Sequence, residues 1–295
     1  MSFFLGAGGR SFEKLTSRTL MNHVLIDGKH YKLPATWNEL SAHQLQRVVT
    51  VLHTDSYDQH HQRLRLLCVL LDERLSYVNS FTVVQQLQLT MLVDFLLTSN
   101  DLTAQLLPTV RVRGGQGVHV SWKEYHGPRE YLRNLTFAEF VFADSYCLHY
   151  LATKDRIYLH KMLAVLYRPQ RHPYKPKSPG YGGDIREDFN EHLIAERAEK
   201  LATLDDDQKL AILTWYRGCR TWMERQYPLV FQAGESQDGR TSDWGRVLRD
   251  LSGKQFGTMV ETGRTLTLTI LAQMQDDNEL AERLREQAEA TKNKS

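Results

Sequence analysis

Apolar residues recur at helical spacing along most of the chain, and two neighbouring runs are apolar on several sides. The first run begins at Thr136, whose spacing to Glu139 is that of a helix capping box. One face of this helix is expected to carry Phe137, Phe140, Val141, Leu148 and Leu151. Three more apolar or aromatic residues lie outside that face, namely Phe142, Tyr146 and Tyr150. The second run ends before Pro169 and carries Leu159, Met162, Leu163, Leu166 and Tyr167. Helices that are apolar nearly all round lie inside a protein, so this pattern predicts a buried helical hairpin.

The other helices are predicted from capping pairs followed by one apolar stripe. The pairs are Ser41 with Gln44, Thr82 with Gln85, and Asp205 with Gln208. The helix after the second pair is expected to carry Val84, Leu87, Met91 and Phe95. A charged helix is expected from Asp184. Residues 264–271 alternate as a strand would, but their flanks favour a helix, which is the interpretation adopted.

Two β-hairpins are predicted among these helices. Asp27-Gly28 separates two short apolar runs, a strong turn signal because glycine accepts a positive φ at little cost. The second hairpin is expected to pair Val110 to Val112 with Val118 to Val120 around a glycine-rich tip. The two hairpins are expected either to join one small sheet or to pack on the helices. Arg111 and Arg113 alternate with the valines and so are predicted to face solvent.

The predicted fold is therefore mainly α, a multi-helix globular protein around a buried helical hairpin, with one or two small β-hairpins. Five regions are expected along the chain. They are a flexible arm at 1–22, a helical domain at 23–168, a Pro/Gly-rich basic loop at 169–184, a helical pair on the core at 185–232, and a helical C-terminal region at 233–295.

Composition is that of an ordinary globular protein. Of 295 residues, 41% are hydrophobic and 24% charged, and the formal net charge of +2 gives no global field favouring nucleic acid or membranes. The 3 cysteines lie apart in apolar helical patterns, as reduced thiols of a cytosolic protein do. Because neither a signal peptide nor a membrane-length apolar run is visible, we expect the protein in the cytoplasm, or in a particle assembled there.

No residue pattern predicts catalysis, a cofactor or a metal. Cys147 and His149 are two apart on one helix and point to different sides, so they do not form a nucleophile–base pair. Asp144 lies among apolar residues and is expected to pair with an arginine such as Arg156 or Arg168. The expectation is a protein that is not an enzyme.

The Pro/Gly-rich loop is the candidate for partner binding. Its prolines and glycines exclude a helix or a central strand, and the stretch around it has the largest local excess of positive charge. The residues expected to bind a partner are Arg168, Arg171, Tyr174, Lys175, Lys177 and Tyr181. The alternative is a solvated surface connector.

Several short segments carry a family resemblance. They are Leu33-Pro34, Trp37 to Leu40, Tyr131-Leu132, Leu135 to Phe140 and Leu166 to Pro169. Over residues 24–232 the chain resembles uncharacterised proteins of tail gene clusters of bacterial phages and prophages, which are taken to be tail-assembly or tail-structural proteins. The resemblance implies no catalytic residue.

The expected function is thus that of a non-enzymatic structural or assembly protein of a phage tail or tail-like particle. Its partners would be other proteins of the same particle or assembly pathway, and neither the net charge nor the short apolar runs indicate a membrane. One alternative is a nucleic-acid-binding accessory protein that uses the 169–184 loop. The other is an enzyme whose site the sequence does not reveal.

Overall fold

Helices dominate the structure and two small antiparallel sheets accompany them, which confirms the predicted mainly α fold. The computed structural model describes residues 12–15 (backbone only), 21–54, 58–114, 121–174, 176–177, 183–232 and 244–292. The chain divides into two units. The first takes in Met1–Leu106 and Asp206–Gly218, and the second takes in Leu107–Asp205 and Cys219–Ser295. This division does not coincide with the region boundaries expected from the sequence.

A three-stranded sheet opens the first unit. Its strands are β1 (Phe12–Leu15), β2 (Asn22–Ile26) and β3 (Lys29–Leu33). The predicted turn is confirmed, since Asp27 and Gly28 have φ values of 49° and 79°. The flexible arm predicted for 1–22 is wrong at 12–15, because backbone pairing with β2 makes a strand of a segment too short to show a pattern.

Five short helices follow in the first unit. They are α1 (Ala42–Leu52), α2 (Gln59–Leu71), α3 (Leu75–Asn79), α4 (Val83–Thr90) and α5 (Phe95–Thr98). The capping boxes at Ser41 and Thr82 are present as predicted. Three of the apolar residues predicted here, Val84, Leu87 and Met91, are exposed, whereas Gln85 is buried.

The second unit contains the predicted helical hairpin. Its helices are α6 (Phe137–Thr153) and α7 (Arg156–Leu166), and Thr136 and Glu139 form the expected capping box. Phe140, Leu163 and Leu166 are fully buried, as predicted for the centre of the fold. Leu148, expected to be equally buried, is half-buried.

The second sheet belongs to the second unit, so the two hairpins do not join one sheet. It consists of β4 (Thr109–Gly114), β5 (Ser121–His126) and β6 (Arg168–Pro169). Val110 and Val112 are buried and pair with Tyr125 and Lys123, not with the expected 118–120, which lies outside the described residues. Arg111 and Arg113 are exposed, as the alternation predicted.

The remaining helices are α8 (Ile194–Leu201), α9 (Asp206–Gln226), α10 (Pro228–Gln232), α11 (Trp244–Leu251), α12 (Met259–Arg264) and α13 (Thr267–Lys292). Short 3₁₀ turns occur at Trp37–Glu39, Met91–Val93, Glu130–Leu132 and Glu191–Leu193. The helix expected from Asp184 begins ten residues later, at Ile194, because residues 185–187 instead pair through their backbone with residues 169–171. Residues 264–271 are helical apart from residues 265 and 266, which separate α12 from α13. Thr267, the first residue of α13, donates its N–H to Leu135 O at 2.9 Å.

Candidate functional site

The Pro/Gly-rich segment leaves and re-enters the second unit along two paired stems. We call 168–171 and 184–187 the stems, and residues 172–183 the anchored loop. Gln170 forms a β-bridge with Arg186. Arg171 donates its N–H to Ile185 O at 2.9 Å, and Glu187 donates its N–H to Pro169 O at 2.8 Å. Since β6 also pairs with β5, the first stem extends the second sheet.

Three buried charged side chains join the stems to α6. The Glu139 carboxylate accepts from Arg168 Nη2 through Oε1 and from Arg186 Nη2 through Oε2, the second at 3.1 Å. All three residues are at most 1% exposed. A fourth charge, Asp184, accepts from Arg186 Nη2 at 2.7 Å. Each stem thus contributes one buried arginine to a single carboxylate on the central hairpin.

The remaining guanidinium hydrogens bind backbone carbonyls. Arg168 donates to Val165 O and Glu187 O, both at 2.8 Å. Arg186 donates to Leu166 O at 3.0 Å and to Asn134 O at 3.2 Å. A buried charge is tolerated only when it is paired and its donors are satisfied, so these contacts hold the stems in one arrangement.

The electrostatics of the cluster keep both arginines charged. Burial lowers the pKa of Arg168 to about 10, helped by the neighbouring Arg186 and opposed by Glu139. Burial also lowers the pKa of Arg186, but the charges of Glu139 and Asp184 outweigh it and raise this pKa. Burial raises the pKa of Asp184, yet the hydrogen bonds and charge of Arg186 lower it further, below its usual value. At neutral pH the cluster therefore holds two cations and the Asp184 anion beside Glu139.

Two further ion pairs flank the stems. Arg171 Nη2 lies 2.5 Å from Asp188 Oδ1, and Arg197 Nη2 on α8 lies 2.6 Å from Glu187 Oε2. Arg197 is itself buried, whereas Asp188 is exposed. Because Glu187 belongs to a stem and Arg197 to α8, the second of these ion pairs also connects the stems to α8.

The residues predicted to bind a partner fall into three groups. Arg168 was expected to contact a partner, but it is buried and paired with Glu139. Arg171 is half-buried on a stem, and Tyr174 and Lys177 are exposed on the anchored loop. Lys175 and Tyr181 lie outside the described residues.

Sequence reasoning missed the importance of Glu139 and Arg186. Glu139 was recognised only as a capping residue, and its Oε2 does accept the Thr136 N–H at 3.3 Å. The only available signal was an acidic residue on a helix that is apolar on most sides. Arg186 gave no signal, since apart from Asp184 its partners Leu166, Asn134 and Glu139 lie 20, 52 and 47 positions away along the chain.

Asp144 pairs with an arginine, as expected, but with a different one. Its Oδ1 accepts from Arg220 Nε at 2.7 Å and its Oδ2 accepts from Trp244 Nε1 at 3.0 Å. Cys147 is buried whereas His149 is exposed. Both Asp144 contacts tie α6 to later helices of the second unit.

Among the described residues, no group of three or more His, Cys, Asp or Glu side chains is placed to hold a metal ion. Nor does any helix in the described part of the chain have the length and apolarity needed to cross a bilayer. Comparison of the chain with known protein families, with curated proteins and with solved structures finds no match.

Proposed function

We propose that this protein is a non-enzymatic structural or assembly protein of a phage tail or tail-like particle, acting through protein–protein contacts. The resemblance of residues 24–232 to proteins of tail gene clusters supports this proposal. Assembly would take place in the host cytoplasm, and the partners would be other proteins of the same particle or assembly pathway.

The observation that carries the proposal is the anchored loop on its buried base. Four charged residues and two paired stems fix where the loop leaves the fold. Outside this base, His172, Pro173, Tyr174, Pro176 and Lys177 are exposed. Fixing the ends of a binding loop in advance lowers the conformational entropy lost on association. Tyrosine supplies a large contact area with only two side-chain torsions, which suits an interface.

The nucleic-acid alternative loses support from the same geometry. Two of the positive charges that favoured it, Arg168 and Arg171, are paired with Glu139 and Asp188. A protein that binds nucleic acid through phosphate contacts needs cations that can displace counterions. Lys177 alone among the described loop residues offers such a charge on an exposed side chain.

The test is co-expression with the products of neighbouring genes, followed by affinity capture and mass spectrometry. The variant Tyr174→Ala/Lys177→Ser should recover less of the captured partner than wild type, because it removes the exposed aromatic and basic groups of the loop. A matched control, Leu284→Ala/Lys254→Ser, changes one exposed apolar and one exposed basic residue elsewhere in the same unit. Equal recovery by both variants would contradict the proposed role of the loop, and salt-dependent retention of DNA by wild type would favour the alternative.

A further inference from the structure

The hairpin of β4 and β5 in the second unit presents one side to solvent, which we call the ribbon face. Its six residues form cross-strand pairs, namely Thr109 with His126, Arg111 with Glu124, and Arg113 with Trp122. Trp122 is 63% exposed, whereas the other four tryptophans of the chain are buried or half-buried. The ribbon face therefore carries the one strongly exposed tryptophan of the protein.

The register of the hairpin fixes Trp122 on this outer side. Successive residues of a strand point to opposite sides of the sheet. Tyr125 is 1% exposed and pairs with the buried Val110, so the inner side of β5 carries Tyr125 and the outer side carries Trp122 and Glu124. Turning Trp122 inward would require a register shift by one residue, which would expose Tyr125. The exposure of Trp122 is thus built into the strand pairing.

Neighbouring elements hold the ribbon face in place from behind and from one end. The hairpin contacts α8 through β4. At the end of the face, His126 pairs with Arg168 of the first stem, and its Nδ1 lies 3.1 Å from Thr109 Oγ1. A surface held in this way loses little conformational entropy when a partner binds to it.

The charges of the ribbon face favour an acidic partner. Arg111 Nε is 3.2 Å from Glu124 Oε1, and both side chains are largely exposed, so this pair contributes little stability and its arginine can also contact a partner. The ion pairs among the described residues include Arg111 but not the exposed Arg113. Two cations beside one anion leave the face positive, which complements an acidic surface. Tryptophan and arginine are also the residues that dominate binding energy at protein interfaces.

A polypeptide fits the ribbon face better than a nucleic acid does. Glu124 lies on the same side of β5 as Trp122, two positions along the strand. A nucleic acid with a base stacked on Trp122 would bring its negatively charged backbone close to this carboxylate. A polypeptide instead brings backbone N–H groups, which Glu124 can accept, together with carboxylates for the arginines.

We propose that the ribbon face binds an acidic segment of another protein, with an apolar side chain of that segment packed on the Trp122 indole and carboxylates at Arg111 and Arg113. The two arginines are two positions apart on β4, about 7 Å along the strand. Carboxylates two residues apart on an extended segment match this spacing. The proposal does not depend on the anchored loop, because all of its contacts are made by β4 and β5.

Fluorescence anisotropy titrations of the full chain test the ribbon face. The probes are two fluorescein-labelled peptides, one alternating glutamate with proline and the other alternating lysine with proline. Wild type should bind the glutamate peptide and prefer it to the lysine peptide. Trp122→Ala and Arg113→Glu should each weaken binding of the glutamate peptide about tenfold, corresponding to about 1.4 kcal/mol. Absence of saturable binding of the glutamate peptide to wild type would overturn the proposal.

Two further variants separate a specific site from general effects of charge and folding. The matched control, Leu284→Ala/Arg285→Glu, changes one exposed apolar and one exposed basic residue of α13 and should bind the glutamate peptide like wild type. Arg111→Glu/Arg113→Glu should prefer the lysine peptide, a gain that an unfolded variant would not show. An equal loss in the control would overturn the proposal. Displacement of the glutamate peptide by single-stranded oligothymidylate would also overturn it and would assign the face to nucleic acid.

Discussion

The Glu139 carboxylate connects three parts of the second unit. It caps the start of α6 by accepting the Thr136 N–H, and it binds one arginine from each stem. Removing one partner from a buried charge network leaves the other charges uncompensated, which costs far more than the network adds as a whole. The folding of the loop base is therefore sensitive to this one side chain.

Glu139→Gln keeps the shape of the side chain but removes its charge. We expect it to lower the free energy of unfolding by about 3–5 kcal/mol, because Arg168 and Arg186 remain buried with less negative charge beside them. Urea unfolding followed by circular dichroism measures the loss. The control, Glu196→Gln, breaks an exposed pair with Lys200 and should leave the unfolding midpoint nearly unchanged. Similar midpoints for both variants would show that the buried cluster does not stabilise the fold.

The cysteines yield a second prediction at the residue scale. Burial raises the pKa of the Cys68 thiol to about 11 and also raises the pKa of Cys219. Because the thiolate is the reactive form, neither thiol should react appreciably with Ellman's reagent at pH 8 in the native protein. All three cysteines should react once urea unfolds the chain. Rapid labelling of one thiol without urea would contradict this expectation.

Single residues were predictable from the sequence where the cause was local. The capping boxes at Ser41, Thr82 and Thr136 needed only a spacing of three residues. The partner of Asp144 was not predictable, because Arg220 is 76 positions away and only the packing of helices brings it near. The burial of Arg168 was missed for the same reason, since its partner Glu139 lies on α6, 29 positions earlier in the chain.

At the scale of elements, the hairpin of α6 and α7 was the most predictable feature. Apolar residues on several sides of consecutive helices require burial whatever the remaining topology. The orientation of α4 was not predictable, because an apolar stripe does not reveal whether the tertiary fold covers it. The pairing partner of β4 was also wrong, because strand register depends on the turn and on cross-strand packing.

Leu163→Ala tests the hairpin as the core of the second unit. Leu163 is completely buried on α7, so its truncation should cost about 2–5 kcal/mol through lost transfer energy and a cavity. The exposed Leu284 provides the comparison, and Leu284→Ala should cost under ~0.5 kcal/mol. Denaturant unfolding measures both values, and a loss below ~0.5 kcal/mol for Leu163→Ala would refute a tightly packed hairpin.

The stems should make stability depend on pH through Asp184. Its pKa in the folded protein is lowered by Arg186, below the unfolded value of about 3.9. The stabilisation is therefore complete above the unfolded pKa and is lost as the pH falls through the folded pKa. Between pH 5 and pH 2, Asp184→Asn should lose less unfolding free energy than wild type. Parallel pH curves for the two proteins would exclude a stabilising Asp184–Arg186 pair.

At the scale of the whole molecule, the sequence did not indicate two units built from discontinuous segments. The first unit recruits Asp206–Gly218, a stretch more than ninety residues beyond Leu106. Gly218 shows the packing reason, since a Cβ at this position would lie 2.3 Å from Leu102 O. A glycine within a helix pattern does not reveal which distant backbone approaches it. Long-range packing of this kind leaves no trace in local periodicity.

Limited proteolysis tests the anchored loop in the intact molecule. The stems are held by buried charges, whereas Lys177 is exposed in a turn between them. Proteases cut preferentially at exposed loop tips, so trypsin should cleave first after Lys177 and should spare the buried Arg186. A bound partner should slow this cleavage, while Lys177→Ser should delay it in the free protein. First cleavage after Lys292 or Arg285 of the exposed α13, with the loop still intact, would show that the loop is not the accessible element that an assembly role requires.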